Sequence, residues 1–294
     1  MTDNVVNAAD AGDFELAGRP VHRIGFGAMQ LPGPGVFGPP KDKDAAIAVL
    51  RRAVELGVNH IDTAQFYGPD VSNELIHEAL HPYPDDLSIV TKVGARRDGE
   101  GNWVPAQTPQ ELREDVEANL RTLGLDQIAA VNLRRMDEHE GHDVVPIEDQ
   151  LSELVALRGE GKIGGIGVST VDLDTLDLAI KEADIVCVQN AFSLVDQSDA
   201  PVLEHCAAAG IAYVPYFPLG SAFPNMPKVV DDSRVKEIAA ARGVGPAQIG
   251  LAWLLARSPN ILLIPGTSSV AHLEENLAVG DIHLTEAELV TLAG

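Results

Sequence analysis

Short runs of apolar and β-branched residues alternate with helix-patterned segments along almost the whole 294-residue chain. Runs that are apolar at nearly every position are typical of parallel strands covered on both faces. Eight strand and helix units predict one closed (β/α)8 barrel, an α/β fold, rather than an open sheet. The eight predicted strands are RIGFGAM (23–29), HIDTA (60–64), SIVTK (88–92), AAVNLR (129–134), GGIGVS (164–169), DIVCVQ (184–189), AYVPYF (212–217) and ILLIP (261–265).

The segments between these runs carry helix signals. Residues 44–57, 108–124 and 147–159 place apolar residues at the 3.6-residue period of a helix. Thr108 with Glu111 has the spacing of a capping box, and a proline lies between them at the first helical position. Three glycines lie where a left-handed residue would end a helix: Gly57, Gly124 and Gly159.

The rest of the chain fits a single domain over residues 1–294. Residues 13–27 predict a short β-hairpin ahead of the first barrel strand, able to close the bottom of the barrel. The stretch from about residue 1 to residue 12 has neither strand nor helix signals, so we expect it to be flexible.

Charge and cysteine content limit the partners and the compartment. The 44 acidic residues exceed the 21 Lys and Arg residues and give a net charge of -23, which disfavours binding to nucleic acid or to an anionic membrane. Only Cys187 and Cys206 occur, which is no disulfide framework and indicates a reducing compartment. Without a signal-like or membrane-spanning apolar stretch, the chain is predicted to be cytoplasmic. The sequence leaves the oligomeric state open.

Polar residues at the ends of predicted strands indicate where chemistry could occur, because barrel active sites lie there. Asp62 lies in the second run, Tyr67 just beyond it, and Lys92 at the end of the third. We expect Asp62 and Lys92 to pair, since each alone would be costly to bury. The cation would lower the tyrosine pKa from its usual value of about 10 and make Tyr67 a usable proton donor. The alternative is an ordinary ion pair at the rim, with Tyr67 serving only in packing.

Taken together, several separated motifs resemble the aldo-keto reductases from about residue 13 to residue 293. The resemblance implies a metal-free cytosolic reductase that transfers hydride from a nicotinamide cofactor to an aldehyde or ketone, with a tyrosine protonating the oxygen. The motifs, in the order of the family, are GFGAMQL (25–31), GVNHIDTAQFYG (57–68), TKVG (91–94), LGLDQIAAVNLRRMD (123–137), GKIGGIGVS (161–169), VQNAFSL (188–194), PYFPLGS (215–221) and IPGTSSVAHLEEN (264–276).

The resemblance assigns catalytic roles to Asp62, Tyr67 and Lys92, and it places Arg134 where the family usually has a histidine. Arginine stays protonated, so it could polarise a carbonyl but could not relay a proton. Tyr67 would then be the acid. The expected substrate contacts are Tyr67, Trp103 and Arg134. The chain is similar to a bacterial branch with this arginine, some of whose members reduce pyridoxal-like aldehydes.

For the cofactor, the resemblance puts the carboxamide on Ser169 and Gln189 and Tyr216 under the nicotinamide ring. NADP-preferring members often carry Lys and Arg at the positions of Gly266 and His272, so this chain lacks those two cations. Thr267, Ser268 and the N-terminus of the next helix could still bind a phosphate, so NADPH is favoured while NADH stays open. The remaining expected cofactor contacts are Met29, Gln30, Asp62, Pro218, Leu219, Gly220, Ser221, Gly266, Thr267, Ser268, His272, Glu275 and Asn276. No metal is expected.

Four competing interpretations arise from the same chain. HEALH (77–81) matches a helical zinc motif, but Pro82 follows directly and no third ligand has the expected spacing. The glycines of GPGVFG (33–38) match a dinucleotide-binding turn, which the neighbouring prolines and the missing helix disfavour. The charged segment 137–143 has metal-ligand residue types but is more typical of a solvated loop. Finally, the barrel could be a cofactor-binding regulatory subunit with little turnover.

Overall fold

An antiparallel hairpin precedes the barrel, as the sequence predicts. The computed structural model describes residues 6–137, 143–220 and 226–293. Strands β1 (Asp13–Leu16) and β2 (Arg19–His22) pair with each other. Leu16 and Val21 are buried and pack against inward-facing residues of the barrel such as Val90 and Leu262. The hairpin therefore closes the amino-terminal end of the barrel.

Seven parallel strands form the barrel sheet, and a further extended segment closes it. Ile24 and Tyr213 both form parallel bridges to the segment 261–263, which thereby joins the two ends of the sheet. This confirms the predicted (β/α)8 barrel. The order across the sheet is β11-β10-β9-β8-β5-β4-β3, and the antiparallel pair β6–β7 stands apart from it. The strands are β3 (Phe26–Gly27), β4 (His60–Asp62), β5 (Ser88–Val93), β6 (Ala95–Arg97), β7 (Trp103–Pro105), β8 (Ile128–Arg134), β9 (Ile163–Ser169), β10 (Ile185–Gln189) and β11 (Ala212–Tyr213).

The described helices pack outside the sheet and follow the predicted signals closely. The Thr108 and Glu111 capping box forms, and Gly124 ends its helix in the left-handed conformation at φ 64°. Gly159 does not end a helix as predicted, because the helix includes it and Gly161 takes the left-handed turn. The helices are α1 (Lys43–Glu55), α2 (Val71–Leu80), α3 (Pro109–Leu123), α4 (Ile147–Gly159), α5 (Leu173–Glu182), α6 (Ala200–Ala209), α7 (Ser233–Arg242), α8 (Pro246–Arg257), α9 (Val270–Leu277) and α10 (Glu286–Ala293).

Short 3₁₀ turns complete the chain, and one of them corrects an expectation. Residues Ala8–Ala11 form a 3₁₀ helix capped by Asn7, and Ala8 is fully buried with its N–H donated to the carbonyl of Leu56. This part of the amino-terminal stretch therefore packs on the barrel, contrary to the expected flexibility. The other 3₁₀ turns are Ala28–Gln30, Pro34–Val36, Val229–Asp231 and Ala278–Asp281.

In the described ranges, no single helix is long and apolar enough to cross a membrane. Among the described helices, one pair, α7 and α8, is long and apolar enough when taken together, and these two helices are bent by 100° relative to each other.

A buried histidine lies one layer below the carboxyl-terminal end of the barrel. His60 shares the inward face of β4 with Asp62, because side chains alternate along a strand. Neither ring nitrogen of His60 has a hydrogen-bond partner among the described residues, and a Cβ atom at Gly25 would lie 2.3 Å from its ring. Burial lowers the pKa of His60 from 6.5 to about 4. The packing at this level thus depends on a neutral imidazole beside a glycine.

The His60 pKa leads to a prediction for stability against pH. Between pH 6.5 and about 4 the unfolded chain binds a proton at this position that the folded chain does not, so stability falls as the pH falls. Between pH 7 and about pH 4.5, urea denaturation should show the wild type losing roughly 2 to 3 kcal/mol more than His60→Leu. The exposed His283, changed to Gln, is the control and should keep the wild-type profile. Parallel profiles for the wild type and His60→Leu would contradict the prediction.

Candidate active site

A buried ion pair lies at the carboxyl-terminal end of β4 and β5. Asp62 is the last residue of β4, and Lys92 is the fifth residue of the neighbouring β5. The Lys92 Nζ atom lies 2.5 Å from Asp62 Oδ1 and donates a second hydrogen bond of 3.1 Å to the carbonyl of Thr63. Both side chains are more than nine-tenths buried. The structure thus brings these two residues together as the sequence predicts.

Tyr67 lies in the loop after β4, with its ring close to the same lysine. The Nζ atom of Lys92 is 5.0 Å from the centre of the tyrosine ring, and Tyr67 is buried. Burial raises the pKa of Tyr67, while the positive charges of Lys92 and Arg134 oppose this rise. The expected lowering of this pKa is therefore wrong, because desolvation of the phenolate outweighs the attraction of the cations.

Burial alone would lower the pKa of Lys92, but the charge of Asp62 and the proximity of Tyr67 more than reverse that effect. The net result is a raised Lys92 pKa, so the lysine stays protonated near neutral pH. A fixed positive charge therefore lies beside the Tyr67 ring.

Arg134 is the last residue of β8, and its guanidinium lies over an aromatic ring. Its Cζ atom is 4.9 Å from the ring centre of Trp103, the first residue of β7. Trp103 also packs edge to face on Phe66 at 5.3 Å, and Phe66 packs in the same way on Tyr67 at 5.4 Å. The three side chains expected to contact substrate thus lie along one wall: Tyr67, Trp103 and Arg134.

Sequence reasoning missed Arg97, which faces the same wall. Its Cζ atom lies 3.7 Å from the Trp103 ring centre, and its N–H groups donate to carbonyl oxygens of the three loops around the wall. The preceding Arg96 points the opposite way and pairs with Asp115 and Glu114 on α3. Strand alternation in residues 95–97 would have placed the two arginines on opposite faces. The sequence of this segment is typical of a loop, however, so the alternation could not be recognised before the β6–β7 hairpin was seen. The carbonyl partners of Arg97 belong to Gly35, Val36, Phe66 and Gly101.

Two residues assigned to the cofactor carboxamide lie at the ends of adjacent strands. Ser169 ends β9 and Gln189 ends β10, where they pair in the strand register, and both are buried. The Nε2 atom of Gln189 donates to Asp62 Oδ2 at 3.0 Å, while its Oε1 atom is buried and has no hydrogen-bond partner in the described part of the chain. Tyr216, half-buried, follows β11 and forms a bridge with Ala191. The orphaned Gln189 oxygen needs a donor such as a carboxamide N–H.

The other expected cofactor residues lie on two sides of the same rim. A Cβ atom at Gly266 would meet the Gly27 carbonyl at 2.5 Å and Gln30 at 3.3 Å, so the first loop and the segment 265–268 are in close contact. Thr267 accepts a hydrogen bond from Ser269, the N-cap of α9, which carries His272, Glu275 and Asn276. Met29, Pro218, Leu219 and Gly220 are partly buried, and Gln30, Gly266 and Ser268 are exposed. Ser221 lies outside the described residues.

The glycine-rich loop does not form a dinucleotide-binding turn. Gly33 accepts from Phe37 and donates to Gly38 within its own loop, and the next helix, α1, begins only at Lys43. The segment is a closed loop held by Arg97.

The histidines of HEALH pack against each other. The rings of His77 and His81 stack with centres 4.6 Å apart, and His77 also lies against Gly124. Within residues 6–137, 143–220 and 226–293, no group of three or more His, Cys, Asp or Glu side chains could hold a metal ion. Of the charged segment 137–143, residues 138–142 lie outside the described residues.

Comparison with known sequences places this arrangement in a family. The pattern of the Aldo/keto reductase family matches residues 23–293. The chain belongs to the aldo/keto reductase family. It is an oxidoreductase of this family, and the ion pair with its neighbouring tyrosine lies where the family resemblance places catalysis. The chain is 51% identical to the pyridoxine 4-dehydrogenase of Escherichia coli K12 over 96% of its own length and 97% of that protein. It is 42% identical to an uncharacterized oxidoreductase of Schizosaccharomyces pombe over 96% and 89% of the two chains.

Solved structures of aldo/keto reductases have the same fold. The thermostable aldo-keto reductase Tm1743, solved with the inhibitor epalrestat, is 30% identical with a TM-score of 0.81, covering 96% of this chain and 98% of that one. An aldo/keto reductase from Klebsiella pneumoniae, solved with NADP and acetate, is 25% identical with a TM-score of 0.79, covering 95% and 93%.

Proposed function

We propose that this aldo/keto reductase reduces an aldehyde or ketone to an alcohol with NADPH, and that Tyr67 is the proton donor. The observation that carries the proposal is the buried Lys92 between Asp62 and the Tyr67 ring. An ion pair with only a structural role could form without a tyrosine next to the lysine. Because the E. coli relative is named a pyridoxine 4-dehydrogenase, pyridoxal-like aldehydes are the first substrate class to test.

In the proposed reaction, each residue of the site has a separate role. A nicotinamide cofactor held at the rim would supply the hydride for the carbonyl carbon. As the electron pair of the C=O bond moves to oxygen, the Tyr67 hydroxyl transfers its proton to that oxygen. Lys92 stabilises the phenolate that remains, and Asp62 holds Lys92 in place through the 2.5 Å contact. Arg134 donates an N–H to the carbonyl oxygen and polarises the bond.

NADPH fits the polar groups at the rim. Gln189 Oε1 would accept from the carboxamide N–H₂, and the Ser169 hydroxyl would bind the same group. The Tyr216 ring offers a flat apolar face for the nicotinamide. Support for the phosphorylated cofactor comes from the Klebsiella reductase solved with NADP, while Gly266 and His272 keep NADH as the cofactor to compare. The N-terminus of α9 with Thr267 and Ser268 supplies neutral donors for a phosphate.

We propose a cytoplasmic location and a small-molecule partner for this enzyme. The two free cysteines, Cys187 and Cys206, are both buried, which suits a cytoplasmic enzyme. The partner we propose is a small carbonyl compound, with neither nucleic acid nor membrane required, since the net charge is -23.

The direct test is NADPH oxidation by the purified protein in the presence of a chelator, with pyridoxal and an activated aromatic aldehyde as substrates. We expect turnover that the chelator does not reduce. NADPH binding without turnover on any aldehyde would favour the regulatory role instead. Activity abolished by the chelator and restored by zinc would point back to HEALH.

A further inference from the structure

The ring of Trp103 lies between two arginines. The guanidinium carbons of Arg97 and Arg134 are 3.7 and 4.9 Å from its centre, and both positive charges face the pocket wall. In the part of the chain that the structure describes, neither arginine has a carboxylate within ion-pair distance. The nearby Arg96 and Arg135, in contrast, each pair with an aspartate. Two neighbouring cations without an ion-pair partner among the described residues are unusual in a chain with 44 acidic and 21 basic residues.

The two arginines differ in how their N–H groups are used. Arg97 donates to four backbone carbonyls, so its position is fixed, and the neighbouring Asp98 carboxylate acts on its charge without forming an ion pair. The guanidinium of Arg134 makes no hydrogen bond to any described residue and is only partly buried. Each charge opposes the other, since Arg134 contributes, after burial, to the lowered pKa of Arg97. Arg134 thus presents up to five unused donors in a planar fork.

The position of this fork relative to Tyr67 limits what it could bind. Arg134 ends β8, directly beside the strand that carries Lys92. An apolar wall formed by Phe66 and Trp103, with Met29, Val36 and Met136 packed around it, runs beside both the fork and the Tyr67 ring. One N–H of the fork suffices to contact a carbonyl oxygen, which leaves its other edge for a second group on the same molecule.

We propose that the Arg134 fork, with the added charge of Arg97, binds an oxyanion substituent of the carbonyl substrate, a carboxylate or a phosphate, while the apolar body of the substrate packs on Phe66 and Trp103. The inference rests on the proposed reductase function and adds the substrate class. Guanidinium and carboxylate form paired hydrogen bonds of matching geometry, and such charged bonds are about twice as strong as neutral ones. The substrate anion would supply the ion-pair partner that these two arginines lack among the described residues.

The test compares two aldehydes that differ in charge, 4-carboxybenzaldehyde and its methyl ester. Carbonyl polarisation by Arg134 acts on both, so the ratio of their kcat/KM values isolates recognition of the carboxylate. We expect Arg134→Met to lower this ratio by about tenfold to a hundredfold relative to the wild type. Arg134→Lys keeps the charge but not the planar fork, so its kcat/KM ratio should lie between those of the wild type and Arg134→Met. A third aldehyde, 4-formylphenyl phosphate, carries a phosphate in place of the carboxylate. Its kcat/KM value, compared with that of 4-carboxybenzaldehyde, shows which of the two anions is preferred.

The control is Arg158→Met, which removes the same charge. Arg158 lies in the last turn of α4, just before β9 begins, and therefore near the amino-terminal end of the barrel. The ratio of kcat/KM values for the two aldehydes in Arg158→Met should equal that of the wild type. An unchanged ratio in Arg134→Met, with both aldehydes reduced, would overturn the inference and leave the reductase function standing. Failure of the wild type to reduce either aldehyde would count against the reductase function itself.

A binding measurement provides a readout besides turnover. Trp103 is one of only two tryptophans, so benzoate binding should change the protein fluorescence, and Trp103→Phe should remove most of that change. We expect Arg134→Met to weaken benzoate binding by about tenfold or more. Benzoate should compete with the aldehyde. Competition with NADPH instead would mean that the arginines hold a cofactor phosphate, and would overturn the inference.

Discussion

Replacing Tyr67 with phenylalanine should lower kcat by about a hundredfold to ten-thousandfold, because this change removes the hydroxyl that we propose as the proton donor to the carbonyl oxygen. The phenylalanine ring keeps the edge-to-face contact with Phe66, so the fold should be retained. NADPH binding should stay close to wild type. Stopped-flow reduction of an aromatic aldehyde, with chelator present and NADPH saturating, measures the chemical step directly.

A second tyrosine serves as the control for this experiment. The hydroxyl of Tyr83 donates a 2.6 Å hydrogen bond to the carbonyl of Leu123, and its pKa is raised mainly by burial. Tyr83→Phe removes a partly buried hydroxyl outside the proposed site and should leave kcat near the wild-type value. Wild-type turnover in Tyr67→Phe would rule out its role as the acid and require another proton source.

The second large effect concerns the buried ion pair. Lys92→Met leaves the Asp62 carboxylate at the barrel interior without its cation, and Asp62 is only 4% exposed. Breaking one partner of a buried pair typically costs about 3 to 5 kcal/mol of unfolding free energy. We expect a loss of this size in urea denaturation at pH 7. Turnover should also fall steeply, because the phenolate of Tyr67 would lose its neighbouring cation.

Combining the variant with Asp62→Asn separates stability from catalysis. The amide removes the unpaired charge and can still accept from Gln189 Nε2, so the double variant should recover most of the lost stability. Its turnover should remain low, because the lysine is still missing. Recovery of both properties would mean that Lys92 has only a structural role. A stability loss below about 1 kcal/mol in Lys92→Met would show that the pair is weakly desolvated.

Much of the site could be predicted because it follows from local pattern. The alternation of strand and helix segments implies a barrel, and a barrel brings the ends of its strands to one rim. Asp62, Lys92 and Arg134 all end or nearly end a predicted strand, so their proximity needed no contact information. The hairpin of residues 13–22 and the capping of α3 likewise depend on neighbours a few residues apart.

Other features depend on contacts that no local pattern contains. The bond between Gln189 and Asp62 joins residues 127 positions apart. Arg96 and Arg97 are chemically alike and adjacent, yet one pairs with α3 and the other stacks on Trp103, because the β6–β7 hairpin sends them to opposite faces. The arginine pair around Trp103 therefore emerges only in three dimensions.

By itself, the sequence determined the barrel, the hairpin and the strand positions of the residues assigned to catalysis, because periodicity and chain order specify them. The tertiary structure decided the direction of the Tyr67 pKa, since burial and nearby charges oppose each other there and only packing sets their balance. It also decided that Arg134 has no carboxylate partner among the described residues. Electrostatic environments arise from distances between distant segments, and those distances are fixed only when the barrel closes.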